Sequence, residues 1–249
     1  MVKIKQSAGL PAMYIGLASL FFVYWGINRI SPEFHINYVQ GEDRAAEWLT
    51  FIGFLGAAIA CWMTLRFRAG MGRKSVTFFA LLGFFLFVCA GEEISWGQRI
   101  FGFGTPEPMV EINEQNEFNL HNLKFEEFHP KDIVSWFMKI YGIILPLVFI
   151  RQYIRGKGEI FKYIPPPVIT PVFMLPELIS LFEDQLVHLV ETRFGPFLLP
   201  EPCPTTKVLI TRQFDEIVEM YWGLCILMAM LAVYSAWKRS IRPASAQSP

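Results

Sequence analysis

Charge is scarce in this sequence: 18% of its 249 residues are Asp, Glu, Lys or Arg, against about 25% in an ordinary soluble domain. No charge of one sign is left over either, because 22 basic and 22 acidic residues cancel, which excludes a nucleic-acid binder that works by a basic surface. Cysteine is sparse and unpaired in spacing. Cys61, Cys89, Cys203 and Cys225 form no close pair, so neither a disulfide-stapled secreted module nor a cysteine zinc site is expected. Also missing are an HExxH helix, a GxSxG elbow, a phosphate-binding glycine loop and an EF-hand. No internal repeat and no boundary between domains can be drawn.

What the chain has is apolar length. Hydrophobic residues make up 53%, and the mean hydropathy is +0.36. Crossing about 30 Å of hydrocarbon takes roughly 17–25 residues. Six stretches approach that length: Ala8 to Ile27, Trp48 to Leu65, Val76 to Ala90, Ile133 to Ile150, Tyr163 to Phe182 and Tyr221 to Trp237. The first is longer than a signal-peptide core and lacks a small-residue cleavage site after it, so it reads as a retained span. The third is short unless its helix runs on through Gly91, Glu92 and Glu93. The fifth is broken by Pro165, Pro166, Pro167, Pro171 and Pro176, and a helix is expected to restart at Pro176 and run to about Thr192. The expected fold is therefore an all-α, six-span transmembrane bundle. It forms one domain over residues 1–242 that includes a structured outer loop, 99–132, and a disordered tail follows at 243–249. In that loop, Thr105-Pro106-Glu107 has the form of a helix start, with Thr105 as the cap.

Orientation follows from the basic residues. With both termini in the cytoplasm, Lys3, Lys5, Arg66, Arg68, Arg73, Lys74, Arg151, Arg155, Lys157, Lys162, Lys238, Arg239 and Arg242 are inside. Among the acidic residues only Glu159 is cytoplasmic, Glu177 lies within the fifth stretch, and the rest fall outside with all four histidines. Tryptophans near the span ends suit the aromatic belts of a bilayer. This describes a multi-pass protein of the cell membrane, in a bacterium the inner membrane.

Acidic residues then collect at one membrane level. Glu42, Asp43 and Glu47 open the second span, and Glu92 and Glu93 close the third. Glu183 and Asp184 close the fifth, and Asp215, Glu216 and Glu219 open the sixth. Helix dipoles stabilise carboxylates at the N-terminal ends but disfavour Glu92, Glu93, Glu183 and Asp184 at C-terminal ones, so that layer calls for cations, protons or basic partners. Lys139, seven residues into the fourth span, is one candidate partner. Asp184 and His188 are four apart and share a helix face. The densest motif is Gly91-Glu92-Glu93-Ile94-Ser95-Trp96-Gly97-Gln98-Arg99, and a second is Asn119-Leu120-His121-Asn122. Carboxylate plus imidazole is a ligand set for zinc, iron or manganese. Glu92, Glu93, His121, Asp184 and His188 are the candidate metal ligands for such a divalent ion, and Glu93, Glu216 and Glu219 the candidate catalytic groups.

Glu42-Asp43 with Glu47-Trp48, residues 91–102 (GEEISWGQRIFG), Thr105-Pro106-Glu107 and Asn119-Leu120-His121-Asn122 together resemble an uncharacterised family of bacterial multispan membrane proteins, over about a third of the chain. The glutamate pair with a following arginine and histidine also resembles, more faintly, the intramembrane prenyl-protein endopeptidases. There three residues separate the second Glu from the Arg, whereas here five separate Glu93 from Arg99. The Phe-x-x-x-His of that family is here shortened to Phe118-x-x-His121.

Two functions are compatible with these features. One is a metal-dependent membrane hydrolase or transferase acting at the outer boundary on a lipid or membrane-proximal substrate. The other is a non-catalytic scaffold, assembly factor or accessory subunit, its 24 Phe packed against lipid or a membrane-protein partner.

Overall fold

In the computed structural model the described residues are 44–113, 116–123, 130–156, 159–181 and 214–241, with scattered residues between 15 and 39. Five helices organise them: α1 (Ala45–Thr64), α2 (Arg73–Glu93), α3 (Lys131–Met138), α4 (Thr170–Leu181) and α5 (Phe214–Ile241). Among the described residues three helical stretches are long and apolar enough to cross a membrane: Ala45–Gly70, Arg73–Glu93 and Glu216–Ile241. Among the described residues the helices have no strand beside them, apart from one isolated bridge between Asn113 and Leu123, which is what a bilayer demands of a backbone that must satisfy itself.

Lipid tails are as apolar as leucine, so helices inside a bilayer adhere by close packing rather than by hydrophobic burial. The pairing of α1 with α5 follows that rule. A Cβ placed on Gly53 would lie 2.3 Å from the Gly223 carbonyl carbon, and one on Gly223 would lie 2.7 Å from the Thr50 carbonyl oxygen. Gly56, where a Cβ would lie 3.0 Å from the Leu227 side chain, and the Cys61 thiol, which donates to Met230 Sδ at 3.1 Å, extend that seam. Thr50 and Thr64 are buried in α1 at no hydrogen-bonding cost, since their hydroxyls donate to the carbonyls of Ala46 (3.0 Å) and Ala60 (2.8 Å) one turn back. α2 closes the other side of α1, where the Trp62 indole occupies the space left by Gly83.

The fourth apolar stretch is helical but segmented. α3 passes into a π-helical turn, Lys139–Ile144, then into Leu145–Val148 and Ile150–Ile154. Gly142 in the π turn lies against the Phe173 ring of α4, with room for no Cβ. In the fifth stretch the helix starts six residues earlier than expected. A 3₁₀ turn, Pro167–Ile169, leads into Thr170, so Pro176 sits inside α4 and not in its first turn. A proline there removes the N–H that would bond the Val172 carbonyl. That carbonyl instead accepts the Cys225 thiol from α5 at 3.4 Å, which is how an interior proline is accommodated in a membrane helix.

Charge separates by end. Arg66, Arg68, Arg73, Lys74, Lys238 and Arg239 stand at one end of the three long helices, and Glu47, Glu92, Glu93, Glu216 and Glu219 at the other. At the basic end Trp237 donates to the Lys162 carbonyl (2.7 Å), Tyr141 donates to the Tyr163 carbonyl (2.6 Å), and the Ser75 and Tyr163 hydroxyls bond at 2.8 Å. Indole and phenol rings with polar tips held this way are typical of a helix end at a membrane interface.

Candidate functional site

The site begins where α2 stops. After Glu93 the chain takes positive φ at Ser95 (45°), Trp96 (55°) and Gly97 (77°). A left-handed conformation is unfavourable for any residue with a Cβ, and most of all for a bulky one such as Trp. Contacts outside the turn must hold it, and they are visible. The Trp96 indole folds back over the helix end, donates to Glu92 Oε1 at 2.6 Å, and fills the space over Gly91, where a Cβ would meet the ring at 2.9 Å.

Glu92 Oε2 accepts the backbone N–H groups of Leu120 (2.5 Å) and His121 (3.0 Å). The buried Glu92 carboxylate thus takes three hydrogen bonds, which is what a charge removed from water needs. His121 Nδ1 lies 3.8 Å from Glu92 Oε2 and is buried without a hydrogen bond of its own.

The rest of the outer loop is tied to the same turn by a second buried carboxylate. Glu117 Oε2 accepts from the Ser95 hydroxyl and from Asn119 Nδ2, each at 2.7 Å, and Glu117 forms an ion pair with Arg99. Asn113 Nδ2 donates to Asn119 Oδ1 (2.9 Å), and Asn113 Oδ1 accepts the Glu117 N–H (3.1 Å). Gln98 accepts the Phe118 N–H (2.6 Å) and donates to Thr105 Oγ1 (2.7 Å). The Thr105 hydroxyl in turn donates to the Asn116 carbonyl. Thr105 is therefore not the helix cap expected of it. The short helix Glu107–Val110 begins after Pro106 with no side-chain cap, because the hydroxyl is used across the loop.

This network joins residues 91–102 to the Asn119-Leu120-His121-Asn122 motif. It also contains Asn113 and Glu117, which motif reading passed over. A signal for them exists in the sequence: asparagine recurs every third residue at 113, 116, 119 and 122, a pattern suited to side-chain-to-backbone bonding in a tight loop.

Beside the network is a cavity of about 150 Å³. Its walls come from α2 (Phe85, Val88, Cys89, Glu92, Glu93), the loop (Leu120, His121), the start of α3 (Pro130, Lys131, Ile133, Val134) and α5 (Glu219, Trp222). Glu93 is within electrostatic reach of Glu219, Glu216, Glu47 and Glu92, so carboxylates from three spans do meet at one level. Of the candidate site residues, Glu92, Glu93, His121 and Glu219 line this cavity, and Glu216 stands near it. Asp184 and His188, like Glu42, Asp43 and Glu183, lie outside the described residues. Among the described residues no three His, Cys, Asp or Glu side chains are grouped as metal ligands.

Lys139 also has a partner: Glu177 of α4, at 3.2 Å, with a further hydrogen bond to Ser135 at 2.9 Å. The pair stands within the fourth and fifth stretches, so Lys139 neutralises a carboxylate other than those of the acidic layer.

In comparison with known proteins, no family model, no curated protein and no solved structure matches this chain.

Proposed function

We propose that this chain is a membrane hydrolase or transferase that works at the acidic end of the bundle, on a lipid or membrane-proximal substrate arriving from the side. The observation that carries this reading is a single cavity lined by Glu93, Glu219 and His121, contributed by two helices and a loop far apart in sequence. Carboxylates that face one another do not share protons equally, so one can serve as acid while the other serves as base. The base removes a proton from water or an acceptor hydroxyl, whose oxygen adds to the attacked carbonyl or phosphoryl centre. The acid returns a proton to the departing oxygen. Glu219, with Glu216 behind it, is the base in this scheme and Glu93 the acid, while His121 relays or orients. Glu92 has its oxygens engaged by Trp96, Leu120 and His121, which suits a part in holding the loop over the cavity.

A metal-dependent form of the reaction would use His121 and Glu93 with Asp184 and His188. A divalent ion there would lower the pKa of a bound water. Six spans, cytoplasmic termini and a bacterial inner membrane complete the proposal, and labelling of single introduced cysteines in residues 70–74 and 106–117 tests the topology.

The activity test uses the full chain in nanodiscs of bacterial polar lipid, with the lipids followed by mass spectrometry and bound metal measured on the same sample. Wild type should consume a lipid, and Glu93→Gln and Glu219→Gln should do so at least about 100-fold more slowly. Equal lipid profiles for all three proteins would remove the enzyme reading and leave a scaffold or accessory subunit. Zinc, iron or manganese retained by wild type and lost in His121→Ala would establish the metal form.

A further inference from the structure

We infer that the turn following α2 is a membrane anchor, its Trp96, Ile100, Phe101 and Phe103 side chains lying in the bilayer interface at the acidic end of the bundle. The partner is lipid, and the inference holds whether or not the cavity is catalytic.

Depth comes from the helix. α2 has 21 residues, and at about 1.5 Å per residue it is about 31 Å long, the thickness of the hydrocarbon. Glu93 therefore stands at the hydrocarbon boundary, and the turn is joined to it directly. Leu81, Phe84 and Phe87 of α2 are exposed, the surface that a spanning helix offers to lipid. The Phe87 and Trp96 rings meet edge to face at 6.3 Å, which carries this surface past the helix end. Next to Trp96, the Phe101 ring covers Gly97, where a Cβ would lie 2.9 Å from it. Phe101 is 77% exposed and Ile100 60%. The lipid-facing surface of the span thus continues onto the turn, which is why lipid rather than a second protein is its partner.

Polar groups in the turn are tied elsewhere. Between Glu93 and Glu107 the sequence has one charged residue, Arg99, and its guanidinium pairs with the buried Glu117. Gln98 accepts the Phe118 N–H and donates to Thr105. The backbone closes on itself too, because the Gln98 carbonyl accepts the N–H groups of Gly102 (2.8 Å) and Phe103 (3.3 Å). Gly102 makes that closure possible at φ 69°. An element placed at an apolar boundary needs its polar groups engaged in this way. Exposed Glu107 and Glu111 then mark where the chain returns to water. A loop standing wholly in water gains nothing by engaging Arg99 and Gln98 while exposing Ile100 and Phe101, whereas an interfacial one does.

The test places a nitroxide spin label at Phe101→Cys or Glu107→Cys in a Cys203→Ser background, where Cys61, Cys89 and Cys225 are buried. The full chain is reconstituted in vesicles of phosphatidylcholine, alone or mixed with phosphatidylglycerol. Accessibility is read with oxygen, which concentrates in hydrocarbon, and with a neutral nickel chelate, which stays in water. The ratio of oxygen to nickel accessibility should be at least about fivefold higher at 101 than at 107, and equal in both lipids because the contact is apolar. A label at Phe103→Cys should gain at least about threefold in nickel accessibility when Ile100→Ser and Phe101→Ser are added. Both positions are exposed, so folding is not at stake. High nickel accessibility at 101 in wild-type sequence context puts the turn in water and overturns the inference. Low accessibility to both reagents means that a second copy covers it, which also overturns it. So does insertion seen only with phosphatidylglycerol, or a Phe103 label indifferent to the two serines.

Discussion

Glu92 and His121 are 29 residues apart, and the carboxylate of the first accepts the backbone N–H of the second at 3.0 Å. With the Leu120 N–H beside it, this bond fastens the outer loop to the end of a membrane-spanning helix. A charged acceptor at a helix C-terminus is disfavoured by the helix dipole. Three donors from outside the helix offset that cost, and they also explain why an acidic residue stands there.

Replacing Glu92 with Ala should therefore release the loop. Loss of three hydrogen bonds to a buried charge is expected to destabilise the protein by about 3 kcal/mol. Limited proteolysis in detergent checks this: residues 103–123 should become cleavable well below the temperature at which the bundle unfolds. A loop as resistant as in wild type would mean that the Arg99, Glu117 and Ser95 cluster alone holds it.

Gly91→Ala tests the same turn without touching a charge. The added methyl would meet the Trp96 ring at 2.9 Å. With the ring displaced, the indole loses Glu92, at an expected cost of about 1–3 kcal/mol. Trp96 fluorescence, read in a background with the other tryptophans replaced by Phe, should shift to longer wavelength as the ring moves into water.

The α1–α5 seam makes a sharper prediction. Gly53→Ala places a methyl into the Gly223 backbone, while Gly104→Ala meets nothing within 4 Å. The first should cost about 3 kcal/mol or prevent folding, and the second should be close to neutral. Melting temperatures of the two variants in detergent, compared with wild type, check this. Comparable losses at both positions would refute the close helix crossing.

Lys139 and Glu177 should be energetically coupled. A double-mutant cycle with Lys139→Met and Glu177→Gln is expected to give about 1 kcal/mol of interaction, since polar pairs inside membrane bundles measure at this level. Additive effects would show instead that Lys139 only extends its stem toward the interface.

The sequence alone determined the material of this protein and the distribution of its charge. Apolar runs of span length, basic residues at one end of the long helices and carboxylates at the other are properties of local composition, and the physics of a bilayer reads them directly. The placing of Glu92, Glu93 and Glu219 at one level followed from the same arithmetic.

Tertiary structure decided what each of those groups does. Trp96, Leu120 and His121 engage both oxygens of Glu92, while Glu93 meets carboxylates of α1 and α5, and no spacing rule separates adjacent glutamates in that way. Asn113 and Glu117 belong to the network because the left-handed turn at Ser95–Trp96–Gly97 folds the loop back onto the helix end. Pro176 lies inside a helix because Cys225, 49 residues further on, bonds the carbonyl it leaves free. In each case the deciding partner is distant in sequence, and a hydrogen bond or close contact between distant residues depends on distances that only the folded chain sets.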